Sequence, residues 1–193
     1  MSKVLNKCVL DLDGVLADFV TGASIAHGRP NPYLDRSNYG NYYMEKIWGM
    51  SVEEFWRPMD EDFWSMLDIM DKAVDLVDFL DNEFDGNVCI LSSPSKNRGC
   101  VDGKLHWIKQ NFPQLERSFL IGPKKHFCAS SQTLLIDDYD RNVNGFREHS
   151  GHAYLVPRPW NSAHTEDFDL DDLMEYIDDI NYSLAHPCKS TSK

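Results

Sequence analysis

No run in this chain approaches the ~20 consecutive apolar residues of a membrane span. The one apolar run near its start is broken at Asp11 and Asp13, so no signal-peptide core is expected. Cysteine is scarce and unpatterned. Five residues (Cys8, Cys89, Cys100, Cys128, Cys188) make an odd number with no Cys-x-x-Cys pair. Cys8 and Cys89 lie in apolar strand-like runs, where the thiol behaves as a small hydrophobe. Reduced thiols and a cytoplasmic location are expected. Positive charge is also short, with 19 Lys and Arg against 31 Asp and Glu, a net −12. That field opposes a phosphate polymer, no basic run offsets it, and no kinase-type glycine-rich phosphate loop is present. Neither a nucleic-acid polymer nor a membrane is therefore expected as partner. An anionic ligand should be small and met by local cations. His106, His126, His149 and His152 match no zinc spacing, and the chain carries no internal repeat or low-complexity block.

What remains is ordinary for a globular chain. Its 193 residues are 42% hydrophobic and 26% charged, enough for one domain with a modest insert. Chains of this size bury roughly 70% of their unfolded surface. The informative stretch is Val9-Leu10-Asp11-Leu12-Asp13-Gly14-Val15-Leu16-Ala17-Asp18. An apolar strand, Lys7 to Leu12, runs into two carboxylates two residues apart, which on a strand share a side. Gly14 then permits a sharp turn. Carboxylates held that close raise one pKa unless a cation shares the site. The EF-hand template argues against a calcium loop, because its glycine stands sixth after a helix, whereas Gly14 stands fourth after a strand.

Along the chain, Val15 to Ala26 reads as a helix, and residues 28–50 lose any period apart from a short helix near Tyr42–Trp48. Ser51-Val52-Glu53-Glu54 is a capping box, followed by short helices over Ser51–Trp56 and Asp60–Leu67. Residues 19–70 therefore form a small, mainly helical cap, with an α/β core at 1–18 and 71–193. In that core, Val74, Val77, Leu80 and Phe84 mark one helix face, and Val101, Leu105, Ile108 and Phe112 mark another. Strands fall at Val88–Leu91, Ser118–Ile121, Leu134–Ile136 and Ala153–Val156. A helix near Asn142–His149 and a C-terminal one through Leu170, Leu173, Met174, Ile177 and Leu184 complete it, with a frayed tail from Pro187. Alternating strands and helices imply a largely parallel, Rossmann-like sheet flanked by helices. Ligands of such sheets sit at the carboxyl ends of strands, where the polar candidates fall: Asp11/Asp13, Ser92/Ser93, Lys125 or Lys124, and Asp137/Asp138.

A hard cation such as Mg²⁺ takes one or two carboxylates plus phosphate oxygens and water. Asp11 and one of Asp137/Asp138 supply the carboxylates, Ser92 a hydroxyl and a lysine a point charge. Phosphoryl transfer asks for that kind of positioning and charge stabilisation. Asp11 is then the candidate nucleophile and Asp13 the acid/base. Taken singly, Asp137-Asp138 also suits a solvated turn, Ser92-Ser93 a capping turn, and about half of the cap aromatics a small core. Arg158 and Trp160-Asn161 follow the last strand within reach of the site.

Asp11-Leu12-Asp13-Gly14-Val15-Leu16 resembles the first motif of the haloacid dehalogenase (HAD) superfamily of aspartate-nucleophile phosphatases. Ile90-Leu91-Ser92, Lys125 and Leu135-Ile136-Asp137-Asp138 are similar to its second, third and fourth. Asp11 to Phe19, with Ser92-Ser93-Pro94 and the final Asp pair, resembles the 5′(3′)-deoxyribonucleotidases and their bacterial and phage relatives. The resemblance implies that Asp13 also binds Mg²⁺ through its main-chain carbonyl, with Asp138 as the preferred further ligand and Asp137 either ligating or standing behind it. It implies that Ser92 binds the phosphoryl group with Ser93 and Lys96 nearby, and that Phe19, with Trp56 and Trp64, contacts base and deoxyribose. The family often has Thr at Ser92, and some relatives carry a basic residue where this chain has Gly122-Pro123. The implied partner is a nucleoside monophosphate, and a homodimer is one assembly it allows. Another small phosphomonoester such as a sugar phosphate, a binding protein without turnover, and a polynucleotide-end phosphatase are the rival functions.

Overall fold

The computed structural model describes residues 4–186. The frayed tail expected from Pro187 lies outside them. Five parallel strands form one sheet in the order β3-β2-β1-β4-β5. They are β1 (Lys7–Leu10), β2 (Val88–Ser92), β3 (Phe119–Ile121), β4 (Thr133–Asp137) and β5 (His152–Leu155). The chain goes from β1 outward to β2 and β3, then crosses back to β4 on the other side of β1. This is a doubly wound sheet whose direction reverses between β1 and β4, the place where such folds open a crevice.

Side chains alternate across the sheet, as a two-residue period requires. Cys8, Leu10, Ile90, Leu134 and Ile136 face the larger core. Val9, Leu91, Leu135 and Ala153 face a smaller one closed by Val143 and Phe146 of helix α7 (Asp140–Glu148). Both faces are apolar, which is why these strands read as unbroken hydrophobic runs. The remaining core helices are α5 (Ala73–Glu83), α6 (Cys100–Asn111) and α8 (Leu170–Ala185).

Two expectations are corrected. The first helix, α1, spans Phe19–Ala26, capped by the Asp18 carboxylate on Thr21 N–H, and does not begin at Val15. Residues 12–18 instead fold back on themselves. The Leu12 carbonyl accepts from both Leu16 and Ala17, and Gly14 N–H donates to Ala17 O at 2.8 Å. Gly14 has φ +75°, so the turn uses the conformation glycine tolerates best. In α6 the buried row is Cys100, Gly103, Lys104, Trp107 and Ile108, while Val101 and Leu105 are exposed. Trp107 makes the difference. Its indole is fully buried and donates to Leu67 O at 2.6 Å, which turns the helix away from the face that aliphatic spacing suggests.

Between β1 and β2 the chain also forms α2 (Met44–Ile47), α3 (Val52–Trp56) and α4 (Glu61–Ser65). Its entry and exit are paired, Asp18 N–H to Asp68 O and Met70 N–H to Leu16 O, both at 2.8 Å. The α3 capping box forms as the sequence requires. Helix α4 lies flush on α6 because Gly103 has no side chain. A Cβ there would overlap the Glu61 carbonyl and stand 2.8 Å from Trp64 Cβ. Gly103→Ala should therefore lower unfolding free energy by about 1–3 kcal/mol, measured by urea denaturation. An unchanged midpoint would show that α4 is free to shift.

Candidate active site

Strand β1 ends at Leu10, so Asp11 and Asp13 do not lie on a strand together as their spacing suggested. Asp11 continues the ladder for one bond, its N–H donating to Ile136 O at 2.9 Å, and its Oδ1 accepts from Leu12 N–H. Asp13 sits within the turn, bridged to Ala17. The two carboxylates consequently face adjoining spaces. Asp11 lines a wide polar cleft of about 1160 Å³, and Asp13 lines a mostly apolar pocket of about 250 Å³.

Lysines hold these acids. Lys125, 2% exposed, sits in a 3₁₀ turn (Lys125–Cys128) after β3 and reaches Asp11 Oδ1 at 2.6 Å and Asp137 Oδ2 at 2.7 Å. Burial alone would lower its pKa, but the two carboxylates raise it. This settles which lysine approaches Asp11: Lys124 faces the cleft and the Phe127 ring. Sequence reasoning missed Lys104 entirely. It is 1% exposed, pairs with Asp13 Oδ2, and donates to Ser92 Oγ at 2.8 Å and Ser93 O at 2.9 Å. Its ammonium also lies 4.4 Å from the Trp64 ring centre, within cation–π range. The one sequence signal was a lysine in the row of Cys100 and Trp107, visible only once that row is known to be buried.

The Asp pair ending β4 divides by environment. Asp137 is saturated: Oδ1 accepts from Tyr139 N–H and Asn142 Nδ2, and Oδ2 from Lys125 and Asn142. Its pKa is pushed up to about 6, by burial first, against the pull of Lys125. Among the described residues the Asp138 side chain binds Trp160 Nε1 alone, at 2.6 Å, with Asn161 holding its main-chain carbonyl. Burial, then Asp137 and Asp11, push its carboxyl well above the ordinary range. Burial likewise raises Asp13, with Lys104 opposing. Asp13 Oδ1 is buried and has no hydrogen-bond partner among the described residues. Gly14 admits Asp138, since a Cβ there would overlap its Oδ2, and Arg158 Nε donates to Gly14 O at 2.7 Å.

Ligand oxygens of Asp11, Asp137 and Asp138 all lie within 4.8 Å of one another. The donors are hard oxygens, and among the described residues Asp138 keeps an oxygen unengaged and four carboxylates face two ammoniums. A divalent cation fits that set.

The expected substrate residues scatter around both spaces. Phe19 and Trp56 line the apolar pocket; Ser93, Lys96, Trp64 and again Trp56 line the cleft. Trp64 is buried and stacked on Phe19 with ring centres 5.6 Å apart, so it belongs to the aromatic core as much as to the cleft. Tyr33, Tyr42, Tyr43, Met44 and Val52 were not anticipated on the pocket wall. Val52 opens the expected helix α3, and the others come from a segment whose main signal was its tyrosine content. Tyr42 stacks on Tyr139 at 3.9 Å, and the Tyr43 and Tyr139 hydroxyls bond at 2.9 Å.

This architecture is the HAD-like, Rossmann-type α/β fold. No protein-family model and no curated protein matches the chain. Among solved structures, a dehalogenase with an intermediate complex superposes with TM-score 0.57 at 13% identity, over 91% of this chain and 98% of that one. A haloacid dehalogenase-like hydrolase of Streptococcus pneumoniae gives 0.51 at 15%, over 90% and 91%. The protein tyrosine kinase A of Mycobacterium tuberculosis gives 0.56 at 16%, over 89% and 97%. At such identities the likeness is one of fold, and these neighbours already differ in activity. No helix among the described residues is long and apolar enough to cross a membrane.

Mg²⁺ at about a hundred times its Kd should stabilise the protein by about 2.7 kcal/mol, read as a rise in thermal midpoint. Asp138→Asn should remove that rise while stabilising the metal-free protein, because it relieves buried repulsion. A Mg²⁺ response retained in Asp138→Asn would place the cation elsewhere.

Proposed function

We propose that this chain is a Mg²⁺-dependent phosphomonoesterase that removes phosphate from (deoxy)nucleoside monophosphates through an aspartyl-phosphate on Asp11. The observation that carries the reading is Asp13, which lines an aromatic pocket and has a buried Oδ1 with no partner among the described residues, while neighbouring Asp11 faces the wide, charge-lined cleft. A phosphoryl group at Asp11 thus has its ester oxygen beside a raised-pKa carboxyl and its organic part beside aromatic faces. HAD-like hydrolases among the fold neighbours agree with the chemistry without choosing a substrate.

The Asp11 carboxylate attacks phosphorus, and the bond to the ester oxygen breaks as Asp13 gives that oxygen its proton. The nucleoside leaves toward the pocket. Asp13, now ionised, takes a proton from water as that water attacks the aspartyl-phosphate, which releases inorganic phosphate and restores Asp11. Lys125 and the Ser92 hydroxyl, oriented by Lys104, hold phosphoryl oxygens and stabilise charge developing on them. Mg²⁺ bound by Asp11, Asp138 and the Asp13 main-chain carbonyl would add Lewis-acid stabilisation of that charge. Lys104 keeps Asp13 in place and limits how far its pKa rises. Tyr33, Tyr42, Phe55, Trp56 and Trp160 on the pocket wall favour a flat base over a sugar phosphate. A carboxyl with one oxygen held by Lys104 and the other without a partner among the described residues suits proton transfer, which a protein that only binds does not need.

Asp11→Asn should abolish phosphate release from deoxynucleoside monophosphates in steady-state assays with Mg²⁺. Undiminished turnover would refute the nucleophile assignment. Lys104→Met should lower kcat about 10²-fold or more, the scale of an acid/base contribution, with a smaller change in KM.

A further inference from the structure

The polar cleft is larger than removal of one phosphate requires. At about 1160 Å³ it is several times the volume of the apolar pocket, about 250 Å³. Tyr42, Val52 and Trp56 line both spaces. From Asp11 the cleft extends along α7, where Arg141, Asn144, Gly145 and Glu148 recur at helical spacing on one face. Nine residues of helix make that wall roughly 12 Å long.

Cations gather in this cleft. The loop after β2 brings Lys96, the loop after β3 brings Lys124, and the first turn of α7 brings Arg141. Among the described residues none of the three pairs with a carboxylate; Arg141 hydrogen-bonds the Tyr139 side chain, which holds it on the cleft wall. In a chain of net charge −12, acid partners are plentiful, so unpaired cations in one concave space focus its field toward an anion. The acids on the same walls are placed differently. Asp140 accepts from the Ser162 hydroxyl and N–H, and Glu148 stands at the far end of α7, in the cleft with the stacked His126 and His149 rings.

We propose that this cleft is a second phosphate subsite, and that the preferred substrate is a nucleoside bearing two phosphates on its sugar. The reacting phosphoryl lies at Asp11 and the base in the apolar pocket, while Lys96, Lys124 and Arg141 hold the phosphate that is not transferred. The assignment rests on the phosphatase reading above and extends its substrate class. Three cations with no carboxylate partner among the described residues suit one further dianion, whereas the net negative charge opposes a long phosphate chain.

Calorimetry on the full chain in EDTA, with thymidine 3′,5′-bisphosphate and thymidine 5′-monophosphate, tests the subsite without turnover. The bisphosphate should bind about tenfold tighter or more, as charge-assisted contacts to a second phosphate would give. The double variant Lys124→Ala/Arg141→Ala should remove most of that difference. With Mg²⁺, the wild-type ratio of kcat/KM for bisphosphate over monophosphate should fall about tenfold in the same variant. Equal affinities, or a difference the double variant leaves intact, would overturn the subsite even if monophosphates are hydrolysed. Release of phosphate from neither ester would refute the phosphatase reading alone, with the binding difference still supporting the subsite. Tighter binding of a 5′-phosphorylated tetradeoxynucleotide than of the bisphosphate, at ~150 mM salt, would overturn it in favour of a polymer end.

Discussion

The placement of Lys125 between Asp11 and Asp137 is the contact on which the rest of the site depends. All three side chains are buried, where an unpaired ion costs several kcal/mol. Each arrives from a different part of the chain: Asp11 follows β1, Asp137 ends β4, and Lys125 comes from the turn after β3. Lys104 repeats the arrangement between Asp13 and Ser92, which tie α6 to the ends of β1 and β2. The charges can be paired only when the strands and helices that carry them are packed. The ion pairs are better understood as fixing geometry than as adding stability, since two further carboxyls, Asp13 and Asp138, remain with raised pKa.

That surplus of negative charge is built into the backbone. Gly14 leaves room for Asp138, Arg158 ties the Gly14 carbonyl, and Trp160 and Asn161 hold Asp138 from behind. The loop after β5 thereby fixes the turn after β1, across the reversal point of the sheet. A substitution at Gly14 would disturb the turn, the approach of Asp138 and the orientation of Asp13 together.

The parallel sheet and its acidic strand ends were legible because both signals are local. Apolar runs such as Val88–Leu91 and Leu134–Ile136 announce strands buried on two faces, and Asp or Ser immediately after them announces a crevice. Helix faces were less legible. Val101 and Leu105 look like a buried row, yet the indole of Trp107 outweighs two aliphatic side chains and rotates α6 to bury Lys104 instead. Lys104 was therefore unreadable, since a lysine on an unassigned helix face looks solvated. Tyr33, Tyr42 and Tyr43 escaped for a different reason. Their segment is held by ring stacking and single hydroxyl bonds, which leave no period. The distinction between Asp137 and Asp138 also lay outside the sequence, because it depends on Asn142 and Trp160, four to five and more than twenty residues away in chain order.

The two halves of the insert meet the core by different means, and this bears on how the pocket keeps its shape. Helices α3 and α4 are fixed from below. Gly99 and Gly103 admit the Glu61 backbone at contact distance, Asn97 donates to the Trp56 carbonyl, and Trp64 spans Phe19 and the Lys104 ammonium. A side chain that touches both the aromatic core and Lys104 makes the packing of the insert and the position of Asp13 interdependent. The tyrosine segment instead meets the core through Tyr139, the residue immediately after the Asp137-Asp138 pair, through Tyr33 against the Trp160 ring and through Gly40 N–H on Pro159 O. The aromatic wall thus reaches the acids on both sides through ring and hydrogen-bond contacts, which in the proposed reaction would place an apolar leaving group against Asp13 at little entropic cost on binding. The walls that would select a ligand in the proposed function are fastened to the same residues that would act on it.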